Sequence, residues 1–248
     1  DTTNTAIKVF KEDMELLSAE EFTLVRHAGF GGSDAGVLLG VNPYTSLSEI
    51  IKQKASPTIL PEEEGIGQEI AVIKGNDLEP LIIHKVEKVF DMRILKPTPM
   101  YQFKEWEYLF MNFDGVAGTP EQYFPVEIKV VTKRGERHYN PSTPIYDSIT
   151  GWGALPEDIS ETNNSVQTKA ALVGIPPYYY AQLQQEIMAL NAPFGLLASL
   201  WENTWTLRVY FVYRDVATQN AIKIEGWKAF QQVLALREKS GWYNNGRT

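Results

Sequence analysis

The chain predicts a mixed α/β fold, a central mixed β-sheet flanked by helices, and three observations carry that expectation. Ile70, Ile73, Leu78, Leu81, Ile82, Val86 and Val89 recur near helical spacing across residues 67–90. Runs rich in β-branched and aromatic residues follow at 93–95, 108–113 and 126–131, separated by Pro, Gly and Asp. A helical stripe, two more strand-like runs and an amphipathic segment then close the chain. With 248 residues, 44% of them hydrophobic and 22% charged, one core is favoured over two, so a single domain spanning 1–248 is expected.

Each element has a local reason. The opening segment reads as a helical hairpin, with Ser18 as N-cap and Glu21 completing a capping box before Phe22, Leu24 and Val25. Gly29, Gly31 and Gly32 make a turn into Ser33-Asp34, and Val37-Leu38-Leu39 reads as a short helix stopped by Gly40. Asn42-Pro43-Tyr44 is a turn and residues 47–54 a helix. Ser56 to Gly65, with two prolines and Glu62-Glu63-Glu64, reads as a solvated loop. In the long helix of 67–90, Pro80 marks a kink and Glu79 lies mid-helix. Residues from about 132 to 177 hold several prolines and no sustained period, and read as an insertion. Pro176 and Pro177 open a helix running to Leu190, with Leu183, Ile187 and Leu190 as its apolar stripe. Strands at 196–201 and 207–213, joined by Glu202-Asn203-Thr204, precede a closing helix at 217–239.

Composition removes several chemistries. The chain has no cysteine, which excludes disulfide scaffolds, cysteine zinc clusters, iron–sulfur clusters and cysteine nucleophiles together. His27, His84 and His138 fall in unrelated segments, so any metal should be held by oxygen. A net charge of −8 runs against the basic surplus common in DNA-binding chains, though a local basic groove can coexist with it. Apolar stretches such as Phe194 to Trp201 are far shorter than the roughly 20 residues of a membrane span, and Asp1-Thr2-Thr3-Asn4 has no signal-peptide pattern. A soluble, cytoplasmic protein is expected.

Asp114 stands at the end of one predicted strand, and Glu127-Ile128-Lys129 lies inside the next. Side chains two apart in a strand share a face, so Glu127 and Lys129 project together while Ile128 turns to the core. Two carboxylates converging from neighbouring strands make a hard oxygen site suited to Mg²⁺ or Mn²⁺. An adjacent ammonium can orient or help deprotonate an attacking water, the pattern of metal-assisted phosphodiester hydrolysis. Strand charges alternating on a solvated face are the plainer alternative. Upstream, Gly31-Gly32-Ser33-Asp34 permits a backbone nest opening a short helix, which with the Ser33 hydroxyl and Arg26 suits a phosphate. A simple turn and helix cap is the alternative there.

These pieces fall in one order. Arg26-x-x-Gly29-Phe30-Gly31-Gly32-Ser33-Asp34-Ala35, Gly40-x-Asn42-Pro43-Tyr44, Gly75-x-x-Leu78-Glu79-Pro80, Asp114-Gly115, Glu127-Ile128-Lys129 and Tyr179-Tyr180-Ala181-Gln182-Leu183-Gln184 succeed one another. Together they resemble the YqaJ-like viral recombinase family, which includes the phage lambda-type alkaline exonucleases. The resemblance implies a restriction-endonuclease-like PD-(D/E)XK core. It implies that Asp114, Glu127 and the Ile128 carbonyl hold a first metal, with Glu79 near a second, so that two Mg²⁺ or Mn²⁺ ions serve one site. Lys129 would position the water and Gln182, one turn after Tyr179, would support the site. Arg26 and Ser33 would receive a 5′-terminal phosphate. The implied activity is a 5′→3′ exonuclease that digests linear double-stranded DNA from 5′-phosphorylated ends and leaves 3′ single-stranded overhangs for recombination by annealing. A ring-shaped homotrimer, a single-strand annealing partner and a phage or prophage origin in a bacterial host belong to the same implication. The stretch between Lys129 and Tyr179 is about twice as long as the lambda-type pattern leads one to expect, and nothing beyond Asn191 matches a motif of the family.

Other residues have plainer readings. Tyr178-Tyr179-Tyr180 could stack bases but, at a helix start, reads as core, and Trp201, Trp205 and Trp227 read as packing residues. His27 could touch a phosphate or serve structure. Lys133, Arg134 and Arg137 are the expected basic patch for DNA. Two rival functions stay open: an endonuclease on the same metal core, and a non-catalytic DNA-binding subunit that keeps the fold.

Overall fold

The computed structural model describes residues 6–58, 66–131, 152–153, 165–202 and 204–241. Two sheets organise it. One has three antiparallel strands in the order β1 (Ile7–Lys11), β3 (Met100–Phe103) and β4 (Phe110–Met111). The other has five, in the order β2 (Ile94–Leu95), β5 (Val116–Thr119), β6 (Gln122–Val131), β7 (Phe194–Trp201) and β8 (Thr206–Tyr213). Only β6 and β7 run parallel in this larger sheet, so it is mixed, as the sequence predicts.

The helices are α1 (Ala19–Arg26), α2 (Ala35–Leu38), α3 (Leu47–Ala55), α4 (Ile66–Phe90), α5 (Val166–Val173), α6 (Pro177–Leu190) and α7 (Val216–Lys239). The predicted capping box of α1 is present: Glu21 N donates to Ser18 Oγ at 3.2 Å and Ser18 N donates to Glu21 Oε2 at 2.8 Å. Ser46 and Glu49 form a second box at α3 that the sequence reading missed. Gly40 follows α2 at φ +67°, a left-handed position that glycine fills without strain. Pro80 lies inside α4.

Four expectations need correction. The opening segment is not a helical hairpin: β1 and a 3-10 turn, Met14–Leu16, precede α1. The alternation of Ile7 and Val9, paired across to Phe103 and Tyr101, decides this stretch, and such a partner far along the chain leaves no local signal. The predicted strand at 108–113 contributes only β4, while β3 and β5 lie in segments read as connections. β6 begins before Pro125, which is tolerated within the strand opposite Val116. Finally, the stretch 132–177, read as having no sustained period, contains α5, capped by Ser165 and ended by Gly174 at φ +87°. Lys133, Arg134 and Arg137 fall outside the described residues.

α6 is the keystone of the packing. Leu183 and Ile187 are fully buried against Leu197 and Val212, and Met188 packs on the opposite side with Phe103 and Met111. Each such side chain contributes about 1.5–3 kcal/mol by leaving water. Two buried glutamines fix its position. Gln185 Nε2 donates to the Phe110 carbonyl at 3.0 Å, and Gln184 Nε2 donates to the Tyr213 carbonyl at 2.7 Å while its Oε1 accepts from Asp215 N at 2.8 Å. Trp201 is buried as predicted, but Trp205 and Trp227 are more than half exposed. Among the described residues no helix is long and apolar enough to cross a membrane.

Candidate active site

The central strand β6 delivers the acidic pair. Ile128 is buried with Ile82, Val86 and Ile94, which turns its neighbours Glu127 and Lys129 to the other face. There Lys129 Nζ makes a short ion pair with Glu127 Oε1. Asp114 sits in the bend between β4 and β5, and its Oδ2 accepts a hydrogen bond from Ile128 N at 2.9 Å. Asp114 is thus tied to the backbone of the residue between Glu127 and Lys129.

α6 closes this face from across the sheet. Gln182 Nε2 donates to Glu127 Oε1 at 2.6 Å and to Glu186 Oε1 at 3.1 Å. The amide orientation follows from chemistry, because the reverse would set a carbonyl against two carboxyls. The Tyr179 ring lies under the amine, 5.1 Å from Lys129 Nζ to its centroid. Gln182 and Tyr179, which the resemblance implies at the site, therefore touch Glu127 and Lys129.

Glu186 was not anticipated. It is 1% exposed, as is Glu127. The signal was present in the helical i, i+4 spacing from Gln182, which puts a charged residue on the face the helix buries. Burial pushes the Glu186 carboxyl well above its ordinary range, and the charge of Glu127 adds to the effect. Burial and then the charge of Asp114 raise Glu127 as well, against the pull of Lys129. Burial disfavours the charge on Lys129, yet Glu127 and Asp114 more than compensate and hold its ammonium above the usual lysine value.

The second predicted centre abuts the first. Arg26, at the end of α1, donates from Nη2 to Ser33 Oγ at 2.9 Å, with Arg26 half-buried and Ser33 exposed. A Cβ added at Gly32 would stand 2.9 Å from Met111 Cε and 3.5 Å from Gln182 Cγ, so this loop lies against the helix that carries Gln182. Within the predicted nest Gly31 N donates to Asp34 Oδ2 at 2.8 Å, and the helix that follows, α2, has only four residues. A phosphate at this position would rest on Arg26 and Ser33. Lys54 braces them, pairing with Asp34 at 3.0 Å and donating to the Arg26 carbonyl at 2.8 Å, both side chains buried. Arg237 of α7 donates to the carbonyls of Lys54 and His27 at 2.8 and 2.7 Å. His27 is itself buried, 2.9 Å from the Ser56 carbonyl oxygen through Nδ1, which supports the structural reading of that ring.

Glu79, which the resemblance puts near a second metal, pairs with Lys96 at 3.0 Å in this structure. Among the described residues no group of three acidic or histidine side chains converges as a ready-made cage. Asp114, Glu127 and the Ile128 carbonyl offer hard oxygens, the donor type a divalent cation takes, and the rest of a shell would be left to water and substrate. A buried Glu127 whose ionisation is disfavoured by a second carboxylate is a position that a cation stabilises, and in this structure Lys129 is the cation it touches.

Known proteins share this architecture. An alkaline exonuclease from Laribacter hongkongensis superposes with a TM-score of 0.57 at 14% identity, covering 90% of this chain and 96% of that one. Its complex with dAMP gives 0.55 at 13% identity, covering 90% and 98%. A phage-related exonuclease from Haemophilus somnus 129PT gives 0.50 at 13%, covering 87% and 98%. At such identities the likeness shows the fold. No curated protein matches the chain in sequence. The YqaJ-like viral recombinase domain matches residues 21–190, a span that takes in Arg26, Ser33, Glu79, Asp114, Glu127, Lys129 and Gln182, and the chain belongs to that family.

Proposed function

We propose that the protein is a divalent-metal-dependent 5′→3′ exonuclease that digests linear double-stranded DNA from 5′-phosphorylated ends and leaves 3′ single-stranded overhangs. One observation carries the reading: Gln182 holds Glu127 of the Asp114–Glu127–Lys129 cluster and lies against Gly32, the residue before Ser33, whose hydroxyl accepts from Arg26. That is the arrangement needed to hold a terminal phosphate while hydrolysing a neighbouring phosphodiester.

Asp114, Glu127 and the Ile128 carbonyl would hold Mg²⁺ or Mn²⁺, with Glu79 available to a second ion on release from Lys96. The bound metal supplies a Lewis acid for the phosphoryl oxygen and a lowered pKa for water. The chain does the rest. Lys129, held charged, orients the attacking water and offsets negative charge developing on the phosphorus oxygens. Gln182 fixes Glu127 through a 2.6 Å hydrogen bond, so the carboxylate need not reorganise as charge moves. Arg26 and Ser33 grip the end phosphate and set the register of cleavage. The same reading includes a single nuclease domain in the cytoplasm, and the family resemblance adds a bacterial host, a homotrimeric ring and a single-strand annealing partner.

The test compares linear duplex with covalently closed circular DNA, in Mg²⁺ and in EDTA, using the wild-type protein and Glu127→Ala. The reading predicts digestion of the linear substrate in Mg²⁺ only, closed circles left intact, and a loss of about 100-fold or more in the variant. Nicked circles with spared linear ends would instead identify an endonuclease, and binding without cleavage a non-catalytic subunit.

A further inference from the structure

The three tyrosines that open α6 have separate fates. Tyr180 is buried and lies 3.2 Å from Asp215 Oδ2 through its hydroxyl, a core role. Tyr179 sits under Lys129, and its ring centroid is 4.4 Å from that of Tyr178. Tyr178 in turn meets Tyr44 nearly perpendicular, with centroids 5.8 Å apart. A row of rings thus leads from the catalytic amine to the surface and ends at Tyr44, which is 63% exposed.

Tyr44 is exposed but held. Asn42 Oδ1 accepts from Tyr44 N at 2.8 Å and from Thr45 N at 3.1 Å, an Asx turn, while Val41 N and Asn42 N donate to the Gly36 carbonyl at 2.8 and 3.0 Å. The turn is therefore fastened to α2. That helix is about 6 Å long at 1.5 Å per residue and begins at the Arg26–Ser33 pocket. Gly36 also abuts Tyr178 on α6. The Arg26–Ser33 pair, the Asp114–Glu127–Lys129 cluster and Tyr44 are consequently linked through α2 and α6.

An aromatic ring left open to water, yet held by its backbone turn and by one neighbouring ring, is a preformed partner for another flat ring. A nucleobase released from its duplex has such a face, and the neighbouring Arg26 and Lys129 attract the phosphates of the same strand. We propose that Tyr44, backed by Tyr178, is a stacking site for an unpaired nucleobase of the strand held at the active site. Stacking of this kind tolerates any sequence, because every base has a π-face, and it favours a frayed end over a closed one. The proposal rests on the nuclease reading above.

The test uses 5′-phosphorylated duplexes with 2-aminopurine at each of the first few nucleotides, titrated with protein carrying Lys129→Ala to prevent turnover. The fluorescence of one position should be quenched on binding. Tyr44→Ala should abolish that quenching and weaken binding about tenfold, whereas Tyr44→Trp should keep both. With Lys129 intact, Tyr44→Ala should raise KM for duplex by about the same factor with a smaller change in kcat. Signals and KM unaffected by Tyr44→Ala would overturn the proposal, as would equal losses in Tyr44→Ala and Tyr44→Trp, which would assign the side chain to the turn's own folding. A protein that neither binds nor digests DNA sinks the nuclease reading as well; one that does both without regard to Tyr44 sinks this inference alone.

Discussion

Glu186 shows how the site balances its charges. Two carboxyls with no exposure to speak of share one glutamine amide, and both are pushed toward the protonated form. The folded state therefore binds protons that the unfolded chain releases above its ordinary carboxyl pKa of 4.5. The stability associated with Glu186 is fully present below that value and is lost as pH rises. In EDTA, Glu186→Gln should leave the melting temperature near wild type in mild acid and raise it progressively over wild type toward alkaline pH. Each kcal/mol corresponds to about 2–4 °C for a chain of this size. Parallel melting curves for the two proteins across pH would contradict the assignment. Added Mg²⁺ should narrow the gap by giving the wild-type carboxylates a counter-charge.

At the scale of elements, the sequence was legible where the cause is local. Ser18 and Glu21 announce α1, the two-residue period of Glu127 and Lys129 sets their common face, and Pro177 with the Leu183–Ile187 stripe sets α6. It was illegible where the cause is a partner elsewhere. Ile7 becomes a strand because Phe103 lies opposite, and the short β3 and β5 carry too few residues for a period to show. Glu186 follows the same rule: its spacing marks a buried face, but only the fold reveals Glu127 across from it. Gly36 is a case of element contact overriding propensity. Ala is the better helix former by about 1 kcal/mol, yet a Cβ there would lie 2.6 Å from Tyr178 Cβ and 2.9 Å from its Cα. Gly36→Ala should therefore destabilise the fold by about 1–3 kcal/mol, read by denaturant midpoint, as α2 is forced off α6. An unchanged or raised midpoint would show that the two helices can separate without cost.

On the scale of the whole molecule, the chain closes on itself around the site. α7, last in sequence, sends Arg237 back to the carbonyls of His27 and Lys54, which places that helix behind the Arg26–Ser33 pair. The net charge of −8 coexists with this because acids surround the proposed metal position while Arg26 and Lys129 present the positive groups at the cleft. The claim on which the rest depends is that this cleft reads a 5′-terminal phosphate and cuts beside it. A time course in Mg²⁺ on linear duplexes labelled at either end, with 5′-phosphate or 5′-hydroxyl termini, measures polarity and end preference together. The account predicts release of label from the 5′ end first, faster digestion of phosphorylated ends, and loss of that preference in Arg26→Ala. Release from the 3′ end, or an Arg26→Ala variant that slows both kinds of end equally, would contradict it.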